Sequence, residues 1–290
     1  MLFRSIPASW LASVTTYATV EIAPIPLLWI IPLGIYLLSF VVVFSPLGRR
    51  LRPFEARGLL VAVSLAAWLL ACKVEEPKWP VLAAHAMIFF VVCVCLHGIL
   101  VDERPPPEQL SRLYLAMAVG GACGGLFNAV VAPLIFNAHH EFPLAIAAVA
   151  GIMPAPAPSL SARQKLGAAV IATALVTAAS GLVPGIPTSR GFWLAAVAAA
   201  VVATLTIDRG PLRAAALGAA LLGVFWMAEH GRHVVHRTRT FFGVLRVCED
   251  TNGPSRTLVH GSISHGVQLV SADPDRRAIP LSYYHHTGPL

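Results

Sequence analysis

Apolar runs long enough to cross a bilayer dominate the chain and constrain its fold more than any motif does. Water is absent from the hydrocarbon core, so a spanning segment satisfies its backbone internally as a helix of about 20 apolar residues. Runs that meet or approach this length are Ile22 to Phe44, Gly58 to Cys72, Val81 to Val101, Leu113 to Phe136, Leu166 to Val183, Gly191 to Ile207 and Pro211 to Ala228. Phe142 to Met153 is short. Ile6 to Val20, with Thr15, Thr16 and Thr19 spaced through it, reads as a further short span or a re-entrant piece. The predicted fold is an all-α polytopic membrane helix bundle of about 7–8 spans over residues 1–230. A short C-terminal β-hairpin segment is predicted over residues 239–290.

Composition agrees, because 57% hydrophobic against 12% charged residues leaves too little charge for the shell of a soluble protein of this length. The net charge of +7 does not indicate a nucleic-acid partner, since the basic residues fall in short loops between apolar runs. Cys72, Cys93, Cys95 and Cys123 lie within apolar runs and Cys248 stands alone in the tail; an odd count and a one-residue spacer support neither a disulfide framework nor a metal site. His230, His233 and His236 do not converge on one ion if they lie on a helix, so no metal ligands are assigned.

Arg49, Arg50, Arg52 and Arg57 mark their loop as cytoplasmic. The side of the tail depends on Phe142 to Met153, whose twelve residues rise only about 18 Å against a core of about 30 Å. If that segment does not cross, the tail lies inside together with Arg232, Arg237 and Arg239. Gly120, Gly121, Gly124 and Gly125 form two overlapping Gly-xxx-Gly pairs, which let a neighbouring helix approach closely. Glu21, His85, His97 and Asn128 are the polar residues at depth. Glu21 and His97 fall near predicted span ends, and Asn128 can bond a neighbouring helix.

The tail changes period. Thr240 to Val247 reads as a strand, Asp250 to Gly253 as a turn, Arg256 to His260 as its return and Gly266 to Val270 as a further strand. Some fifty residues of this kind bury little surface alone and must lean on something larger.

The same residues carry a resemblance: Arg239-Thr240-Phe241-Phe242-Gly243-Val244, then Leu258-Val259-His260-Gly261 with His265-Gly266-Val267-Gln268, then Pro280-Leu281-Ser282-Tyr283-Tyr284-His285. The chain resembles membrane-bound spermidine synthase-like proteins, in which a transmembrane region is fused to a polyamine synthase domain. Pro26-Leu27-Leu28-Trp29, Leu37-Leu38-Ser39-Phe40 and Gly124-Gly125-Leu126-Phe127-Asn128-Ala129 resemble the membrane part of the same proteins. The resemblance implies that the tail is the β-hairpin region that lids the active site, with Gln268, Tyr284 and His285 lining a polyamine pocket. His260-Gly261 or His265-Gly266 stands where the family carries Asp-Gly, and His286 stands in place of a Glu. The family's donor, decarboxylated S-adenosylmethionine, is held by a nucleoside-binding domain downstream. Leu2-Phe3-Arg4-Ser5 matches what a common sequencing adapter encodes, so the chain is expected to be a fragment that lacks the donor-binding domain. Such a fragment has no catalytic residues or cofactor of its own and is inactive alone.

The resemblance further implies a multi-pass protein of the cell membrane, the bacterial inner membrane, with the lipid bilayer and the missing synthase domain as partners. The rival expectation is a multi-pass transporter or scaffold with a small interaction tail.

Overall fold

A computed structural model describes residues 2–22, 27–72, 77–153, 195–202, 209–230, 234–240, 243–250, 253–261 and 263–279, with residues 25, 161, 207 and 281. The chain opens with α1 (Leu2–Thr16), which continues as a π-helical segment, Tyr17–Ile22. It proceeds through α2 (Ile30–Phe44), α3 (Pro46–Leu51) and α4 (Glu55–Cys72). Next come α5 (Lys78–Asp102), α6 (Leu110–Leu126) with a π segment at Phe127–Val131, and α7 (Ala132–Ile135). The short α8 (Glu141–Ile152), a helical stretch over residues 195–202 and the longer α9 (Gly210–His230) follow. Four strands follow, β1 (Val234–Thr240), β2 (Gly243–Glu249), β3 (Ser255–His260) and β4 (Ile263–Leu269), and then one turn of helix, α10 (Pro274–Arg277).

The expected bundle of seven or eight spans with a short hairpin does not hold. Among the described residues, three helices are long and apolar enough to cross a membrane: Pro46–Cys72, Lys78–Asp102 and Pro107–Ile135. Ile30–Phe44, Glu141–Ile152 and Gly210–Trp226 are shorter apolar helices. The predicted run Ile22 to Phe44 is split because apolar character is not helical continuity. Pro24 and Pro26 lack the N–H a helix interior needs, and Leu27 adopts a left-handed φ of 65°, so α2 starts only at Ile30. Leu166 to Val183 and part of Gly191 to Ile207 lie outside the described residues.

Ile6 to Val20 is a continuous helix in the centre of the bundle. Its Trp10 is 1% exposed and meets Phe142 of α8 edge-on at 6.0 Å, while Tyr17 packs on Phe142 and on His85 of α5. Leu59, Val63, Leu70, Phe89, Val92, Leu96, Ile146, Leu217 and Leu221 continue this core across α4, α5, α8 and α9. Outside it, Leu37, Val41 and Phe44 of α2 and Leu115, Leu126 and Leu134 of α6 and α7 are exposed. An exposed apolar belt of this extent is a surface for lipid.

The tail is a four-stranded antiparallel meander in the order β1-β2-β3-β4 rather than a hairpin. β1 adds a strand that the sequence does not suggest, since the stretch around His230, His233 and His236 reads as a partly charged segment before the tail. In the sheet, Arg239 stands opposite Val244 and Thr240 opposite Gly243, while Phe241 and Phe242 lie outside the described residues. His260 and Ile263 close the β3–β4 turn, where Gly261 has a φ of +58°.

Two ends of the bundle are defined by ion pairs. Arg52 lies 2.9 Å from Asp102 at the close of α5, whereas Arg239 of β1 reaches Glu141 just beyond α7. Between them runs the helix Pro107–Ile135, about 43 Å long. The arginine-rich loop and the sheet therefore occupy opposite ends of this helix. The reason lies in α8 and α9. Gly151, near the end of α8, lies against Gly210 and Ala214 at the start of α9, so α9 returns the chain to the end from which α8 set out.

α1 and α6 cross at Gly124, where an added Cβ would lie 2.5 Å from Ser5 O and 2.9 Å from Ser9 N. At Gly125 it would meet nothing within 4 Å. Gly124→Ala is expected to destabilise the protein by about 1–3 kcal/mol through overpacking. Gly125→Ala is expected to be neutral or to stabilise by up to about 1 kcal/mol through helix propensity. Thermal unfolding of both variants in one detergent checks the contrast.

Candidate functional site

Alongside α1 runs a cleft of about 620 Å³, with Ala8, Leu11, Ala12, Thr15, Thr16 and Thr19 as its floor. Gly121, Gly125, Asn128, Ala129 and Pro133 form one wall, and Leu33 of α2 with Trp29 just before it the other. His139, Glu141, Arg239, Thr240 and Gly243 close one end. Both flanking helices leave regular α-geometry here, since Thr19 and Val20 lie in the first π segment and Asn128 and Ala129 in the second. Pro133 cannot donate to Ala129, which fits a widened register in the turn before it.

The chemistry gathers at the closed end. Arg239 holds Glu141 with two hydrogen bonds, Nη1 to Oε2 at 3.1 Å and Nη2 to Oε1 at 2.7 Å, and also donates to the carbonyl of Ala138. His139 Nδ1 lies 3.3 Å from Glu141 Oε1. The side chains are nearly buried, with 6% exposure at Arg239, 4% at Glu141 and 9% at His139. Burial pushes the Glu141 carboxyl up, but hydrogen bonds from His139 and Arg239 outweigh it and hold the group below the usual carboxylate range. His139 Nε2 is buried and has no hydrogen-bond partner among the described residues.

One glycine seats the sheet on the helices and another packs within the sheet. At Gly261 an added Cβ would overlap Val20 O of the first π segment at 2.1 Å, and at Gly243, with φ +130°, it would meet the His260 ring at 2.4 Å. Both take a conformation that other residues avoid. Arg246, buried in β2, donates to Gly261 O at 3.0 Å and ties the turn back to the sheet.

The residues singled out from the sequence are dispersed by comparison. Gln268 is exposed on β4, opposite Arg256 of β3, while Tyr284 and His285 lie outside the described residues. Asn128 bonds a neighbouring helix as expected: Nδ2 donates to Ser9 Oγ at 2.7 Å, and Oδ1 accepts from Ser13 at 2.8 Å. His97 is not at a solvated span end. It is buried, 2.8 Å from Ser39 Oγ and stacked on Phe40 at 3.8 Å. His85 is buried against Tyr17 and Phe142. The side chain of Glu21 lies outside the description.

Glu141, His139 and their link to Arg239 escape sequence reading because the ion pair joins residues 98 positions apart. A signal exists all the same, in a Glu that directly precedes an apolar run and an Arg that directly precedes the tail's first predicted strand.

Glu141→Gln leaves Arg239 buried without its counter-charge and is expected to cost about 3–5 kcal/mol. Release of the sheet, read by limited proteolysis, checks this. The depressed Glu141 value also sets a sign. Its stabilisation is complete above the ordinary carboxylate pKa of about 4.3 and is lost as pH falls through the lower folded-state value, a dependence absent from Glu141→Gln. No protein-family model, curated protein or solved structure matches the chain, so the reading of the site rests on its own residues and geometry.

Proposed function

We propose that the chain is the membrane region of a spermidine synthase-like protein, ending in the antiparallel sheet with which a polyamine synthase domain begins. The observation that carries this reading is that residues of the resemblance occupy positions that build and dock the sheet. Arg239 anchors β1 on Glu141, Gly243 opens β2 beside His260, and Gly261 turns β3 into β4 against Val20. These are positions where a substitution is costly, which gives the motif a physical basis.

In this reading the helices hold the protein in the cell membrane as a multi-pass anchor and present the sheet at one end. Gln268, with Tyr284 and His285, is assigned to polyamine binding, and decarboxylated S-adenosylmethionine is the aminopropyl donor. Aminopropyl transfer needs a base for the attacking amine and a site for the sulfonium donor. Both are assigned to a nucleoside-binding domain of the full-length protein. Donors of this class are made in the cytoplasm, so the sheet end faces inward and the loop of Arg49, Arg50, Arg52 and Arg57 faces outward.

The cleft favours a second reading, a transporter or scaffold in which the helices bind a solute and the sheet is an interaction module. Membranes carrying the protein translated from its whole genomic reading frame separate the two. Conversion of a labelled diamine and decarboxylated S-adenosylmethionine to a longer polyamine is expected. Uptake of the amine into sealed vesicles without conversion would establish the second reading in its place.

Topology supplies a separate test. With the native cysteines removed, Ser264→Cys in β4 and Arg50→Cys in α3 are expected to react with an impermeant thiol reagent from opposite sides of the membrane. Ser264→Cys should be shielded in intact cells and Arg50→Cys labelled. The reverse pattern would leave the sheet without a cytoplasmic donor.

A further inference from the structure

A second cavity, of about 530 Å³, lies at the arginine-rich end, where α2 stops at Phe44 and α5 at Asp102. Cavities of this size suit a small ligand or headgroup. Arg49 of α3, Arg52 just after it and Arg104 beyond α5 line the cavity with Ser45 and Asp102, so two stretches distant in sequence bring three guanidinium groups to one place. Their charges are not equally spent. Arg52 Nη1 lies 2.9 Å from Asp102 Oδ2 and 3.2 Å from Glu55 Oε2. Gly98 of α5 admits this cluster, since an added Cβ there would lie 2.5 Å from both Arg52 Nη1 and Glu55 Oε1. Arg49 and Arg104, by contrast, are exposed and form no ion pair among the described residues.

One guanidinium between two carboxylates leaves a single negative charge, and Arg49 with Arg104 exceeds it by one positive charge. Guanidinium stays charged at every pH a protein meets, so protonation of either carboxyl would only enlarge the excess. Further out, exposed Arg50, Arg57 and Arg112 outnumber exposed Glu103 and Glu108. The hydroxyl in the lining is already engaged: Ser45 Oγ donates to Val42 O at 2.7 Å and accepts from Leu47 N at 3.2 Å. Val43, Phe44 and Val101 complete the lining, and Phe44, Leu47 and Phe54 form an exposed apolar margin beside it. A soluble anion has no use for such a margin. An acyl chain does, and a basic pocket between the ends of membrane helices is a place where anionic headgroups bind.

We propose that this cavity binds the phosphodiester of an anionic membrane glycerophospholipid at Arg49 and Arg104, with the acyl chains lying on Phe44 and Leu47. The fork of a guanidinium matches a pair of phosphate oxygens, and one phosphodiester carries the charge that neutralises the excess. The proposal depends neither on the synthase reading nor on which side of the membrane this end faces. Phosphatidylglycerol, whose headgroup has a net negative charge, fits it. Phosphatidylcholine, whose headgroup has none, does not.

The full chain in neutral detergent, mixed with equal amounts of the two lipids carrying the same acyl chains, tests this by native mass spectrometry. The complex with one lipid is expected to hold about tenfold more phosphatidylglycerol than phosphatidylcholine, a preference that one charge-assisted hydrogen bond sustains. Arg49→Gln together with Arg104→Gln should abolish it. Arg50→Gln together with Arg57→Gln removes the same charge from outside the cavity and should leave it in place. Loss of the preference in both pairs alike would overturn the proposal, because the attraction would then belong to the basic surface as a whole. So would its survival in Arg49→Gln/Arg104→Gln, or equal retention of the two lipids by the unaltered protein. Displacement of phosphatidylglycerol by glycerol 3-phosphate would overturn it too, by making a soluble phosphate ester the ligand. The four arginines are exposed, and the comparison of lipids on the unaltered protein stands even if a variant does not fold.

Discussion

The buried pair of Arg239 and Glu141 is the interaction on which the arrangement of sheet and helices depends. A meander of four short strands has few buried side chains of its own, Val244 and Arg246 among them, and a sheet of this size needs an external face to pack against. Glu141, conversely, begins an apolar helix and is 3% exposed, a position in which a lone carboxylate would be strongly disfavoured. Each part supplies what the other lacks. The bidentate geometry also carries direction, because a planar guanidinium meeting a carboxylate edge-on fixes the angle at which β1 approaches, as a lysine would not. With Arg239 fixed opposite Val244, the register of β2 follows, and the turn at Gly261 is brought to Val20.

The four clustered glycines of α6 do two opposite things. A helix advances about 100° per residue, so Gly124 and Gly125 cannot share a face. Gly124 is pressed against the backbone of α1, with no room for a methyl group, while Gly121 and Gly125 look into open space and set the width of the cleft. Close contact on one side holds the helices near enough for Asn128 to reach Ser9 and Ser13, and that exchange satisfies polar groups that would otherwise stand in an apolar setting. The missing side chains on the other side leave the void. Contact and cavity are therefore products of one composition, separated by a single residue of phase.

What could be read from the sequence follows the range of the physics involved. The runs behind α4, α5 and α6 were legible because a long apolar stretch has few other ways to satisfy its backbone, and the strands after Gly243 because alternation and the turn residues are local signals. The run before α2 looks longer in sequence than the helix is, since counting apolar residues ignores the left-handed backbone at Leu27. β1 was missed because its sequence, Val234 to Thr240, gives a strand its partner only when β2 is already in place. The site was least legible. Its members come from residues 139, 141 and 239, and nothing local to Glu141 announces an arginine so far along the chain.

The sheet is also the roof of the cleft, since Arg239, Thr240 and Gly243 close the end at which His139 sits. Anything bound against His139 is therefore bound against the surface that docks the sheet, and the two equilibria are linked. A ligand that requires the closed end favours the docked sheet over any loosened form by as much as its affinities for the two differ. Reciprocity follows: contacts that hold the sheet down, chief among them the pair with Glu141, raise the affinity of the groove by the same factor. The side chains shared by the two equilibria are Arg239, Glu141 and His139. The ion pair that joins the two structural units thus also forms the closed end of the groove.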